Sequence, residues 1–174
     1  MQRHAKSRFD EIYRRHLDDV TRYVRRRVEA DAVEDLVAET FVVCWRKLDE
    51  LPSEALPWLY AVARNTIANH YRASARRDAA AGASPAGSVF QPVEQDDVLA
   101  RAFAHLSETD REVLRLVAWE QLSLRDAARV LGCAPVACRV RFHRARRRLA
   151  AELQALEARD AAAHSRPHPE GATS

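Results

Sequence analysis

Apolar residues recur along the first third of the chain at intervals of three and four. Phe9, Ile12/Tyr13, Leu17, Val20, Tyr23/Val24 and Val28 share one face, the spacing of an amphipathic helix. Ser7, with Asp10 three residues on, predicts its start. A second helix is predicted from Asp31, with Glu34 in the matching capping position and Val33, Leu36/Val37, Phe41, Cys44/Trp45 and Leu48 facing inward. Asp35, Glu39, Val42 and Arg46 form its other stripe. After the loop DELPS a third helix starts near Ser53, accommodates Pro57 in its first turn and buries Leu59, Val62/Ala63, Ile67 and Tyr71. Its polar stripe is Arg64/Asn65, Asn69, Arg72 and Arg76.

The periodicity then fails. From Ser74 to about Gln95 the chain is small, Pro/Gly/Ser-containing and almost free of large apolar residues, which predicts a flexible linker. A second module follows, with Val98/Leu99, Ala102/Phe103 and Leu106 on one helix and Ser107 to Asp110 capping the next, which carries Val113, Leu114, Leu116 and Val117. Ser123 and Asp126 cap a short helix, LRDAARVL, that stops at Gly132; Pro135 opens another. In that last helix Cys138, Phe142, Ala145 and Leu149 face inward, leaving Ala137, Val140/Arg141, Arg144 and Arg148 outside. The fold class is therefore all-α: two small helical domains, at residues 7–73 and 96–153, joined by a linker at 74–95. Residues 154–174, ending RPHPEGATS, are expected to be disordered.

Composition supports helices over sheets, since 30% of the 174 residues are charged and only 4 are Gly. No apolar run approaches the ~18 residues of a membrane span, and MQRHAKSRFDEIYRRH has charges where a signal peptide has its apolar core, so a cytoplasmic location is expected. Cys44, Cys133 and Cys138 lack CxxC spacing and read as small core residues. The seven histidines form no HExxH pair, and neither GxxxxGKS nor GxSxG occurs. No catalytic residue, metal site or cofactor is expected, and the protein is not read as an enzyme.

The charge is unevenly placed. Residues 1–73 carry 13 basic and 12 acidic groups, whereas RVRFHRARRR at 139–148 carries six Arg and no acid. Alone, such a block is either a solvated helix end or a phosphate-facing surface. Here it lies on the second helix of a helix-turn-helix pattern, which favours DNA binding over an ordinary αα-hairpin, because leading turns in the major groove would leave arginines flanking the phosphates.

Three segments in order, DLVAETFVVCWRKL at 35–48, LPWLYAVARNTIANHYR at 56–72, and LSETDREVLRL with LSLRDAARVLGCAPVACRVRFHRARRRL at 106–149, resemble the extracytoplasmic-function (ECF) sigma factors, compact bacterial initiation factors of the sigma-70 family. The resemblance covers about residues 7–153. It implies that the first domain, region 2, docks on the polymerase β′ clamp helices through Asp35, Leu36, Glu39, Val42 and Arg46. It also implies that the loop Asp49 to Ser53 captures an unpaired base and that Arg64, Asn65, Asn69 and Arg72 contact the −10 promoter element. These types suit the task, since amides read base edges and arginines neutralise backbone. Trp58 or Tyr60 could stack on a base, although aromatics at this spacing usually bury; His70 reads as structural.

By the same resemblance the second domain, region 4, reads the −35 element and lies near the polymerase β flap. The implied readers are Ala137, Arg139, Val140, Arg141, His143 and Arg144, with Ser123 and Arg125 near phosphates. Ala137 and Val140 replace the Thr and Ser usual in the family, shifting weight towards thymine-methyl contacts or DNA shape. The implied partners are bacterial core RNA polymerase, promoter DNA and an anti-sigma factor, with no membrane insertion. The competing reading is a stand-alone helix-turn-helix regulator binding operator half-sites as a dimer; a helical hydrolase has only the scattered histidines in its favour.

Overall fold

A computed structural model describes residues 2–80 and 98–164. Most of the predicted linker and the end of the tail lie outside the described residues, and among those described the secondary structure is helical. Helix α1 (Gln2–Arg25) begins ahead of Ser7, so that residue caps nothing; Arg22 and Arg25 end it, where cations suit the helix dipole. The chain enters α2 (Val33–Arg46) through a 3-10 turn at Ala30–Ala32, without a side-chain cap. The predicted capping pair Asp31/Glu34 is therefore not what starts this helix: Glu34 and Asp35 lie in its first turn, where their charges favour the dipole. After a second 3-10 turn, Leu48–Glu50, α3 (Ala55–Ala80) takes Pro57 in its first turn and runs seven residues into the predicted linker.

Helices α1, α2 and α3 pack against one another around Val20, Val24, Phe41, Leu59, Ala63 and Ile67. Tyr23 stacks on Tyr60 with centroids 4.6 Å apart. The buried hydroxyls of Thr40 and Thr66 donate to the carbonyls of Leu36 and Ala63, 2.7 and 2.9 Å away, which satisfies them inside an apolar core. Tyr71 on α3 donates to the Arg27 carbonyl at 2.7 Å and fixes the chain leaving α1.

Four helices make the second module: α4 (Val98–Ala104), α5 (Glu108–Ala118), α6 (Leu124–Leu131) and α7 (Pro135–His164). The serine caps predicted for α5 and α6 form, Ser107 Oγ accepting from Asp110 N at 3.2 Å and Ser123 Oγ from Asp126 N at 3.1 Å. Gly132 takes φ +64°, and the Gly132 and Cys133 amides donate back to Arg129 and Ala128, a Schellman ending that turns the chain sharply into α7. Cys133 and Cys138, which precede and enter α7 five positions apart around its cap, pack as a hydrophobic staple; burial, with Cys133 alongside, pushes the Cys138 thiol pKa up.

Helix α7 does not stop where the second domain was predicted to end. It continues through 154–164, with Leu156 buried and Asp160 paired to Arg101 of α4 at 2.9 Å, so this part of the expected disordered tail is helix. The buried residues of both modules form one continuous cluster, because α3 packs on α6. No helix among the described residues is long and apolar enough to cross a membrane.

Candidate nucleic-acid interface

The Schellman turn at Gly132 sets the first turns of α7 clear of the rest of the module. Val136 there is 74% exposed, and Ala137, Arg139, Val140, His143 and Arg144 are exposed with it. Arg141 is partly covered, its guanidinium 4.0 Å from Cys133 Sγ. The six arginines thus divide by environment. Arg146 lies over the Phe142 ring, 5.8 Å from its centroid, and Arg148 binds the buried Asp110 carboxylate. Arg139 and Arg144 stay available for phosphates or base edges. Ser123 is engaged by Asp126 as both acceptor and donor, whereas Arg125 beside it is exposed.

On α3, Arg64, Asn65, Asn69 and Arg72 are exposed on one side, Arg72 donating to Asn69 Oδ1. Asp49 and Ser53 are exposed ahead of that helix. Tyr60 is only 2% exposed and committed to Tyr23, so it is not a base-stacking residue, and Trp58 packs against the core. His70 meets the Tyr71 ring edge-on, a packing role.

Along α2 the stripe Asp35, Glu39, Val42 and Arg46 is exposed as the pattern predicts. Leu36 is not part of that surface: at 3% exposure it belongs to the core, one helical position off the stripe. Trp45 takes the opposite correction. The period placed it inward beside Cys44, yet it is 48% exposed, resting edge-on against Phe9 at 5.2 Å and widening the apolar patch around Val42. Leu99 and Tyr13, also placed inward by the period, are exposed at the rims of their modules.

Sequence reasoning missed a cluster between the modules. Tyr23 Oη donates to Glu112 Oε1 at 2.9 Å, Arg27 Nε to Glu112 Oε2 at 3.0 Å, and Arg27 Nη1 to Glu120 Oε1 at 3.0 Å. Arg26 holds the other oxygen of Glu120 at 3.0 Å. Burial works against the Arg27 charge, but Tyr23, Glu112 and Glu120 outweigh it and hold its pKa above the ordinary value; burial pushes the Tyr23 hydroxyl far up as well. These partners lie 85 to 94 residues apart, beyond any local pattern.

A three-helix module joined to a helix-turn-helix with an arginine-bearing reading helix defines a DNA-binding transcription protein. Residues 12–77 match the family model of sigma-70 region 2 and residues 96–149 that of sigma-70, region 4. The chain is 28% identical over 152 residues to the ECF RNA polymerase sigma factor SigM of Bacillus subtilis, covering 82% of this chain and 93% of that one. To the ECF sigma factor SigC of Mycobacterium tuberculosis it is 33% identical, covering 78% of each. Among solved structures it resembles the sigma factor RpoE in complex with the anti-sigma factor NepR from Bartonella quintana, at 25% identity and TM-score 0.67 over 84% of this chain and 96% of that one. CnrH in complex with the cytosolic domain of CnrY gives 28% identity and TM-score 0.59, over 84% and 88%. The chain belongs to the ECF group of the sigma-70 family, and is an RNA polymerase sigma factor that directs transcription initiation at promoters. Region 2 has no place in a stand-alone operator-binding regulator, so that reading falls.

Proposed function

We propose that the two modules divide promoter recognition between them. Region 2, taken as residues 7–73, docks on the β′ clamp helices of core polymerase through Asp35, Glu39, Val42 and Arg46, with Trp45 added and Leu36 removed. The acids suit a basic partner and the Val42/Trp45 patch supplies the desolvated centre that docking surfaces need. Asp49 to Ser53 capture an unpaired base, while Arg64, Asn65, Asn69 and Arg72 contact the −10 element.

Region 4, taken as residues 96–153, reads the −35 element through Ala137, Arg139, Val140, Arg141, His143 and Arg144, with Arg125 and the Ser123 cap near the backbone. The observation that carries this reading is the exposed apolar and basic mixture on the first turns of α7, with Val136, Ala137 and Val140 offering methyl contacts beside Arg139 and Arg144. The protein works in the cytoplasm and leaves phosphodiester chemistry to the polymerase. Because the relatives RpoE and CnrH were solved bound to an anti-sigma factor or a cytosolic partner domain, an anti-sigma factor is a further expected partner.

The test is transcription by purified bacterial core polymerase on a pool of genomic fragments, with start sites mapped. Discrete starts sharing −10 and −35 sequences support the reading. Asp35→Lys with Glu39→Lys should abolish these starts and polymerase binding together, and Arg139→Ala with Arg144→Ala should leave polymerase binding intact while the starts are lost. Starts that persist unchanged in both variants would refute the residue assignments.

A further inference from the structure

Cys133 and Cys138 bracket the start of the reading helix and take no part in the DNA or polymerase contacts above. Cys133 follows Gly132, and its amide closes the Schellman turn on the Ala128 carbonyl at 3.0 Å. Cys138 is the fourth residue of α7, its amide donating to Ala134 O at 3.0 Å. Only Ala134, Pro135, Val136 and Ala137 separate them.

The two thiols meet at the cap. Their side chains are hydrogen-bonded to each other, and Cys133 Sγ accepts from Arg141 Nη1 at 4.0 Å, one turn of α7 beyond Cys138. They differ in access, since Cys133 is half-buried and Cys138 is fully buried. Burial, with Cys133 beside it, pushes the Cys138 thiol pKa up, so Cys138 is the partner that stays protonated. A partly accessible sulfur next to a guanidinium is the setting in which a cysteine acts as a nucleophile. A second thiol within reach is what turns its oxidation into a disulfide.

We propose that Cys133 and Cys138 form a dithiol that hydroperoxides oxidise to a disulfide, and that this bond disables the −35 reading turns of α7. With hydrogen peroxide as the oxidant, the Cys133 sulfur attacks one peroxide oxygen and the O–O bond breaks. Cys133 becomes a sulfenic acid, and the other oxygen leaves as water with the proton that the thiol gave up. The Cys138 sulfur then attacks the Cys133 sulfur, forming S–S and breaking S–O. The hydroxyl departs with the Cys138 proton as a second water. The two thiols lose two electrons and the peroxide gains them. Cytoplasmic thiol reductants reverse the bond by exchange, so the oxidised form lasts only while peroxide does.

Closing the bond must move the cap. A disulfide holds its sulfurs about 2.05 Å apart and its Cβ atoms about 3.5–4.5 Å apart, nearer than hydrogen-bonded thiols stand. The residue behind the Schellman turn is therefore drawn onto α7, and the turn carrying Val136 and Ala137 shifts with it. Contacts to base edges depend on direction as well as distance, so the neighbouring Arg139 and Val140 lose their register on the groove. This consequence rests on the assignment of α7 to the −35 element.

The test treats the full-length protein with excess hydrogen peroxide, removes the peroxide with catalase, and alkylates the remaining thiols under denaturing conditions before trypsin digestion. Both cysteines fall in one tryptic peptide, VLGCAPVACR at 130–139, and Cys44 in another, as an internal control. The expected product is that peptide unalkylated and lighter by two hydrogens, with Cys44 alkylated. Cys138→Ala should leave Cys133 as a sulfenic acid that dimedone captures, and Cys133→Ser should leave Cys138 reduced. In transcription with untreated core polymerase from a mapped start, the oxidised parent should initiate about tenfold less, the effect of losing one base-edge contact. Dithiothreitol should restore it, and Cys133→Ser should initiate equally before and after peroxide.

A treated parent with both cysteines still alkylated, or with Cys133 carried on to a sulfinic acid, overturns the dithiol. A disulfide that leaves initiation unchanged overturns its control of α7. Reduced Arg139→Ala with Arg144→Ala decides the α7 assignment separately: starts that persist there remove that assignment, while the peptide masses still decide the dithiol.

Discussion

Arg144 and Arg148 lie one turn apart in the same basic run, and the structure gives them different work. Arg148 binds the carboxylate of Asp110, which is 5% exposed and sits in the first turn of α5. Removing Arg148 leaves that carboxylate buried without its cation. Hydrogen bonds to charged groups contribute about 1.5–3 kcal/mol; the Arg148 side chain is 61% exposed, so solvent screens the pair and the lower end applies. Arg148→Ala should therefore lose about 1.5 kcal/mol and, for a domain of this size, roughly 6–12 °C in the melting of region 4. Asp110→Asn in the same chain should recover much of that loss. Arg144→Ala should change stability by less than about 0.5 kcal/mol. The holoenzyme's affinity for a mapped promoter, measured across salt, should instead lose about 0.9 from the slope of log K against log salt, the signature of one phosphate contact. The reasoning fails if Arg148→Ala flattens the salt dependence as Arg144→Ala does and leaves melting untouched.

Gly132→Ala meets no atom within 4 Å, so its cost is wholly that of a left-handed backbone, about 1 kcal/mol by chemical denaturation, and Gly132→Asn should cost less. Leu36→Ala should destabilise region 2 by about 2–5 kcal/mol, as a core truncation does. Trp45→Ser should instead weaken polymerase binding by roughly tenfold or more with little change in melting, as loss of an exposed aromatic anchor does. Burial lowers the pKa of His16 from 6.5, opposed by Asp19. Folding must then exclude a proton that the unfolded chain accepts, so His16 contributes stability above about pH 6.5 that is lost as pH falls through its lower folded value. His16→Gln should flatten that part of the stability profile between neutral and mildly acidic pH.

What the sequence made legible was local. Ser107, Ser123 and Gly132 act through their own backbone, so the caps and the turn of the helix-turn-helix were readable residue by residue. The inner faces of α2, α3 and α7 followed from their period. Errors fell where one helical position decides: Asp35 and Leu36 are 100° apart on α2, and only the backbone places one outward and the other in the core. Leu149, Leu153 and Leu156 continued the inner spacing of α7 past the predicted end of the domain, but the prolines beyond drew the boundary too early. Tyr23 was legible only as an inward-facing position of its helix, and Arg27, Glu112 and Glu120 carry no periodic or motif signal, because each finds its partner only after both modules have folded.

The length of α7 has a mechanical consequence. Its 30 residues make a rod about 45 Å long, with the reading turns at one end and, at the other, Leu156, Glu152 and Asp160 seated on α4 through His105 and Arg101. A displacement of α4, where the chain returns from region 2, swings the reading tip in proportion instead of being absorbed at a hinge. The chain between Ala80 and Val98 can reach at most about 60 Å, which bounds how far apart the two modules can be placed on a promoter. Stiffness on one side of that span and reach within it together set which promoter geometries a single such factor can serve.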